Sequence, residues 1–162
     1  GAVLCALLFL YSAPTAAQST PLPPTSLKEP HMQQHITGHF DVTLTPQAAS
    51  PGIETARLGR QTLSKQFHGD LNAHSLGEML AAGTEVKGSA GYVAIEQVTG
   101  TLLGKPGSFV LMHTGTMNRG TPQLTVQVVP DSGTDALTGL TGQMGIQITD
   151  GKHFYTFDFS LP

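Results

Sequence analysis

From residue 37 onward the chain alternates apolar and polar side chains with a period of two, the spacing of a strand that buries one face. Over residues 37–45, Phe40, Val42 and Leu44 point one way, and Asp41 and Thr43 the other. Residues 57–68 set Leu63, Lys65 and Phe67 opposite Thr62, Ser64 and Gln66. Segments 71–82 and 86–101 follow, separated by Ala82-Gly83-Thr84. Then come 108–117 and 123–129, the latter with Leu124, Val126 and Val128 in clean alternation. A seventh segment carries Met144, Ile146 and Ile148, and the last carries Tyr155, Phe157, Phe159 and Leu161. Between these two stands Asp150-Gly151, a two-residue hairpin signal. Helical alternatives exist at 76–82, as a short helix, and at 131–137, as a single turn.

Eight short strands joined mostly by hairpins leave two open sheet edges, and closure removes both. The pattern therefore predicts an all-β fold, an eight-stranded antiparallel closed barrel with little helix. A two-sheet sandwich is the competing architecture. A length of 162 residues with 19 glycines and no tryptophan suits one such domain rich in tight turns.

The chain opens differently. Residues 2–11 form an apolar run, followed by small residues at Thr15 and Ala17, which predicts a signal peptide over 1–17 cleaved after Ala17. Its start reads as truncated, with no initiating Met and no basic flank. Ten apolar residues make about half a membrane span, so no stable membrane crossing is expected here. Prolines at 21, 23, 24 and 30 among Ser and Thr mark 18–34 as an extended linker, leaving 35–162 for the barrel. The expected compartment is secreted or periplasmic. The single cysteine, Cys5, would leave with the signal peptide, so disulfide, zinc-knuckle and thiolate chemistry drop out of the mature chain.

Charge narrows the function classes further. Eight Lys and Arg against eleven Asp and Glu give a net charge of -3, and charged residues are 12% of the chain, so no basic stripe is available for nucleic acid. No phosphate loop, dinucleotide fingerprint or zinc-protease motif is present, and no cofactor is expected. His31, His35 and His39 lie four residues apart, about 13 Å in extended chain, far beyond one ligand sphere, so no metal is expected. Ser132 lacks the glycine context of a nucleophile elbow.

The residues left to carry chemistry sit on the predicted strands. Glu96 shares a strand face with Tyr92, Ala94 and Val98, where desolvation would raise its pKa and suit it to act as a general base. His113 follows Phe109 and Leu111 on one face and would shuttle a proton if that face lines the lumen. Tyr92 is the accompanying hydrogen-bond donor. Lys65, beside Leu63 and Phe67, either meets an anionic ligand group inside the barrel or snorkels at its rim. Glu78 and His74 share a side at even spacing. Lys65, Phe67, Glu78, Phe109 and Leu111 form the candidate ligand-binding set.

Several motifs in order carry a resemblance. They are Lys65-Gln66-Phe67-His68-Gly69-Asp70-Leu71, Gly77-Glu78-Met79 and Gly88-Ser89-Ala90-Gly91-Tyr92-Val93-Ala94-Ile95-Glu96. Gly107-Ser108-Phe109-Val110-Leu111 with His113 and Gly115 follows, then Val129-Pro130-Asp131-Ser132-Gly133-Thr134. The stretch 35–162 resembles a bacterial family of unknown function in the allene-oxide-cyclase-like barrel superfamily. The resemblance implies an eight-stranded barrel and allows a homo-oligomer, but implies no established reaction. The plant cyclases rearrange an unstable fatty-acid epoxide, and their catalytic pattern does not carry over residue by residue.

Three readings stand at this point. The first is an exported barrel binding a small apolar molecule in its lumen. The second is a cofactor-free isomerase or cyclase using Glu96, His113 and Tyr92. The third is an interaction protein with a packed barrel.

Overall fold

A computed structural model describes residues 32–162, so the expected signal peptide and most of the linker lie outside the described residues. The strands are β1 (Gln33–Gln47), β2 (Gly59–Gly69), β3 (Leu71–Gly83), β4 (Ala90–Leu102), β5 (Lys105–Asn118), β6 (Thr121–Val128), β7 (Thr141–Thr149) and β8 (Lys152–Ser160). Each runs antiparallel to its sequence neighbours, and β8 returns to β1, which closes the barrel and excludes the sandwich. Residues 76–82 are strand throughout, because Ser75, Gly77 and Met79 continue the inward alternation and pair with β2 and β4. The turn expected at 131–137 is present as a 3-10 turn over Asp135–Leu137. Asp150 and Gly151 both take positive φ, 50° and 75°, as a tight hairpin with this dipeptide requires.

Register shows why the sheet closes with one clean interior. Cross-strand partners share a face, and the inward residues link into rows around the wall. One row runs Val42, Lys65, Ser75, Val98, Phe109, and the next runs Leu44, Leu63, Gly77, Glu96, Leu111, Val128. Each row slants across the barrel, because closing a sheet tilts the strands and staggers their register. The same rows carry the polar positions into the interior among apolar ones.

The two ends of the barrel differ. At the end where β1 begins, Ile36, Phe67, Leu71, Val98, Leu102, Phe109, Phe157 and Phe159 are buried together. Phe157 stacks on Phe159 at 5.0 Å and on Phe109 at 5.9 Å between ring centres. The connection 129–140 folds under this end, and its Leu137 and Leu140 are buried in the same core. At the opposite end no such segment covers the inward positions among the described residues. Leu44, Met117, Leu124 and Ile148 face inward by register, yet are 48%, 39%, 41% and 63% exposed.

One seam of the wall is thin. β6 and β7 meet at a single residue pair, Gln127 with Gln143, whereas β4 and β5 pair from Ala90 with Met117 through Leu102 with Lys105.

Replacing Leu140 by Ala should cost roughly 2–5 kcal/mol, the range for deleting a buried leucine side chain. Urea unfolding of the variant measures it. A loss below about 0.5 kcal/mol, the range of an inert surface site, would show that the connection does not seal the barrel.

Candidate functional site

At mid-height the apolar interior is interrupted by four polar side chains from four strands. Lys65 on β2 pairs with Ser75 on β3, and one row further Gly77 stands between Leu63 and Glu96. A Cβ at Gly77 would lie 2.7 Å from both Cα and Cβ of Glu96, so only a glycine lets β3 and β4 approach there. The Glu96 side chain thereby passes across β3 to β2. Its Oε1 accepts from Lys65 Nζ at 2.6 Å and from His113 Nε2 at 2.7 Å, and its Oε2 accepts from Ser75 Oγ at 2.5 Å. All four residues are buried, with Glu96 and Ser75 at zero exposure.

The bonding pattern fixes proton positions. An ionised carboxylate only accepts, so the His113 nitrogen facing it carries the hydrogen, and Nδ1 is the ring atom left for any other partner. Burial pushes the Glu96 carboxyl up, but the bonds from His113, Lys65 and Ser75 and the Lys65 charge outweigh it, bringing the pKa down to about 2. This corrects the expected upward shift. Glu96 is an ionised anchor, and His113 is held by it through Nε2. Lys65 does not snorkel to the rim: its ammonium also lies 4.9 Å from the centre of the Phe40 ring and 5.7 Å from that of Phe67.

Tyr92 lies toward the open end. It pairs with Gly115, and its ring covers that glycine so closely that a Cβ there would sit 2.2 Å from a ring carbon. The residue is half-buried, and burial together with the Glu96 charge raises its phenol pKa. Phe67, Phe109 and Leu111 also point inward, but each is wholly enclosed in the core rather than bordering open space.

Glu78 stands apart from all of these. It lies on the outer wall, where its carboxylate takes two bonds from Arg60 at 2.8 and 3.1 Å, so it is no lumen ligand. His74 is exposed on the same outer face. His35 bonds Asp158 at 2.7 Å and His39 stacks on His68 at 4.7 Å, both outside the barrel; His31 lies outside the described residues.

Two inward residues were not singled out from the sequence. Ser75 completes the Glu96 shell, and the signal for it is its place in the alternation Leu71, Ala73, Ser75. Gln61 is inward by pairing with Met79, and its Oε1 is the one buried side-chain polar atom without a partner among the described residues.

Comparison with known proteins agrees with this architecture. A family model described as "Protein of unknown function (DUF3224)" matches residues 36–159. A crystal structure at 1.84 Å of a protein with unknown function from the same family, from Shewanella oneidensis MR-1, is similar at 51% sequence identity and a TM-score of 0.75. That match covers 81% of this chain and 99% of the other. No curated protein matches the chain.

The cluster should set the acid stability of the barrel. Because the folded Glu96 pKa is depressed from 4.5 to about 2, its contribution is present above pH 4.5 and is lost as pH falls toward 2. The size is about 3 kcal/mol. Urea unfolding between pH 7 and pH 2 should show that decline, and Glu96→Gln should flatten it. At neutral pH the same variant should lose roughly 3–5 kcal/mol, because Lys65 is left buried without its counter-charge. The double variant Lys65→Met/Glu96→Gln should recover most of that loss. A double variant no more stable than the single one would refute the pairing argument.

Proposed function

The chain belongs to the DUF3224 family of proteins of unknown function, and for this member we propose a binding barrel that holds a small, largely apolar molecule in its open half. The observation that carries the reading is the asymmetry of the interior. One end is packed with aromatic rings and sealed by Leu137 and Leu140, while inward apolar residues at the other end remain partly exposed. Inward apolar groups in contact with solvent are costly, and a ligand that covers them recovers that free energy. Two inward polar residues accompany these apolar ones, the half-buried Tyr92 and Gln61 with its buried, unpartnered Oε1, the usual pairing of an apolar pocket with a few orienting groups. The apolar start of the chain supports an exported protein.

A second reading follows from the His113–Glu96 bond. A carboxylate that holds one imidazole nitrogen orients the other as a proton acceptor, an arrangement suited to isomerisation next to a carbonyl or epoxide. In that reading His113 is the base, Tyr92 the donor and Glu96 the positioning residue.

The binding reading is tested with N-phenyl-1-naphthylamine, a neutral probe that fluoresces in apolar surroundings. Titration should saturate at one site per chain. Ala81→Trp, which places an indole among the inward residues beside Tyr92, should weaken binding at least tenfold, about 1.4 kcal/mol. Fluorescence that rises without saturation, or that the tryptophan leaves unchanged, would remove the open half as the site. Native mass spectrometry of protein from its own host would then identify any natural occupant.

A further inference from the structure

We infer that the ligand enters through the side of the barrel, between β6 and β7. The inference rests on the binding reading above and adds the route. All other neighbouring strands are joined by continuous ladders, but here one residue pair, Gln127 with Gln143, holds the wall. Beyond it toward the open end, residues 121–126 of β6 and 144–149 of β7 have no partner on the sides that face each other. The strands are not tied by a tight turn either, since the connection 129–140 is far longer than the two-residue turn at 119–120 or 150–151. On the outer face a groove of about 310 Å³ follows this seam, lined by Thr125, Gln143, Gly145, Thr156 and Asp158, with Leu124 and the buried Val126 and Met144 directly behind it.

What lies behind the seam supports the route. Leu124, Val126, Met144 and Ile146 face inward along it, so its inner border is apolar and suits an apolar molecule rather than water or ions. Val126 pairs directly with His113, and Leu124 with Gly115, the glycine under the Tyr92 ring. A molecule passing between β6 and β7 therefore arrives one strand from His113 on β5 and two from Tyr92 on β4, whose ring leans back over Gly115 toward the seam. Parting the seam beyond Gln127 breaks no ladder, whereas parting any other pair of strands breaks many bonds.

The test bridges the seam from outside. Gln123 and Gln147 are exposed and on the facing edges, so Gln123→Cys and Gln147→Cys in a Cys5→Ser chain can be joined by a short bis-maleimide. Uptake and release of N-phenyl-1-naphthylamine are followed by stopped-flow fluorescence, with the unbridged variant as control. An entrance changes the barrier and not the bound state, so bridging should slow association and dissociation alike, at least tenfold, with Kd held within about twofold. Leu124→Trp, which narrows the seam without a bridge, should slow both rates in the same direction. Hydrogen exchange of the free protein should show the gap-facing amides of 121–126 and 144–149 exchanging at least a hundredfold faster than those shared by β4 and β5. Unchanged rates in the bridged protein, or full protection of both edges, would overturn the side entrance while leaving the binding site intact. An unbridged protein that takes up no probe would overturn the binding reading and the entrance with it.

Discussion

A single carboxylate organises the middle of this molecule. Glu96 on β4 gathers Lys65 from β2, Ser75 from β3 and His113 from β5, so that half of the wall is tied to one buried group. Burying two opposite charges gains little net stability against an apolar alternative, but leaving either one alone is severely unfavourable. The cluster therefore acts on specificity more than on total stability. A strand shifted by one residue would send one of these groups outside and strand its partners within.

Room for that arrangement comes from what is missing on neighbouring strands. Glu96 crosses a glycine at 77, Tyr92 lies across a glycine at 115, and Tyr155 reaches over Gly38 to bond the His68 carbonyl at 3.2 Å. In each case the larger side chain and the bare position are paired or adjacent in register. The interior is thus filled by side chains leaning around the barrel rather than toward its axis, which keeps a narrow cylinder packed without overlap.

Much of the fold was legible in the sequence because period-two alternation reports directly on which side of a strand is buried. Leu124, Val126 and Val128 and the run Tyr155, Phe157, Phe159 fixed the faces of β6 and β8, and Asp150-Gly151 fixed the turn between β7 and β8. Less legible was anything that depends on which strands become neighbours. The downward shift at Glu96 needs Lys65 and Ser75, which lie 31 and 21 residues away and meet it only through the register across Gly77. Glu78 shows the converse: its even spacing from His74 correctly put the two on one side, but not which side, and Arg60 holds it outside. The thin β6–β7 ladder had no signal at all, since both strands alternate normally and only their mutual pairing is short.

The pairing of Gln33 with Ser160 sets the two ends of the folded body side by side, and Pro162 rests near Gly139 beneath the sealed base. Anything covalently attached before the first strand or after the last must therefore depart from the floor of the cup. A segment attached there leaves the uncovered rim, with Leu44, Met117 and Ile148, on the far side of the barrel from the point of attachment.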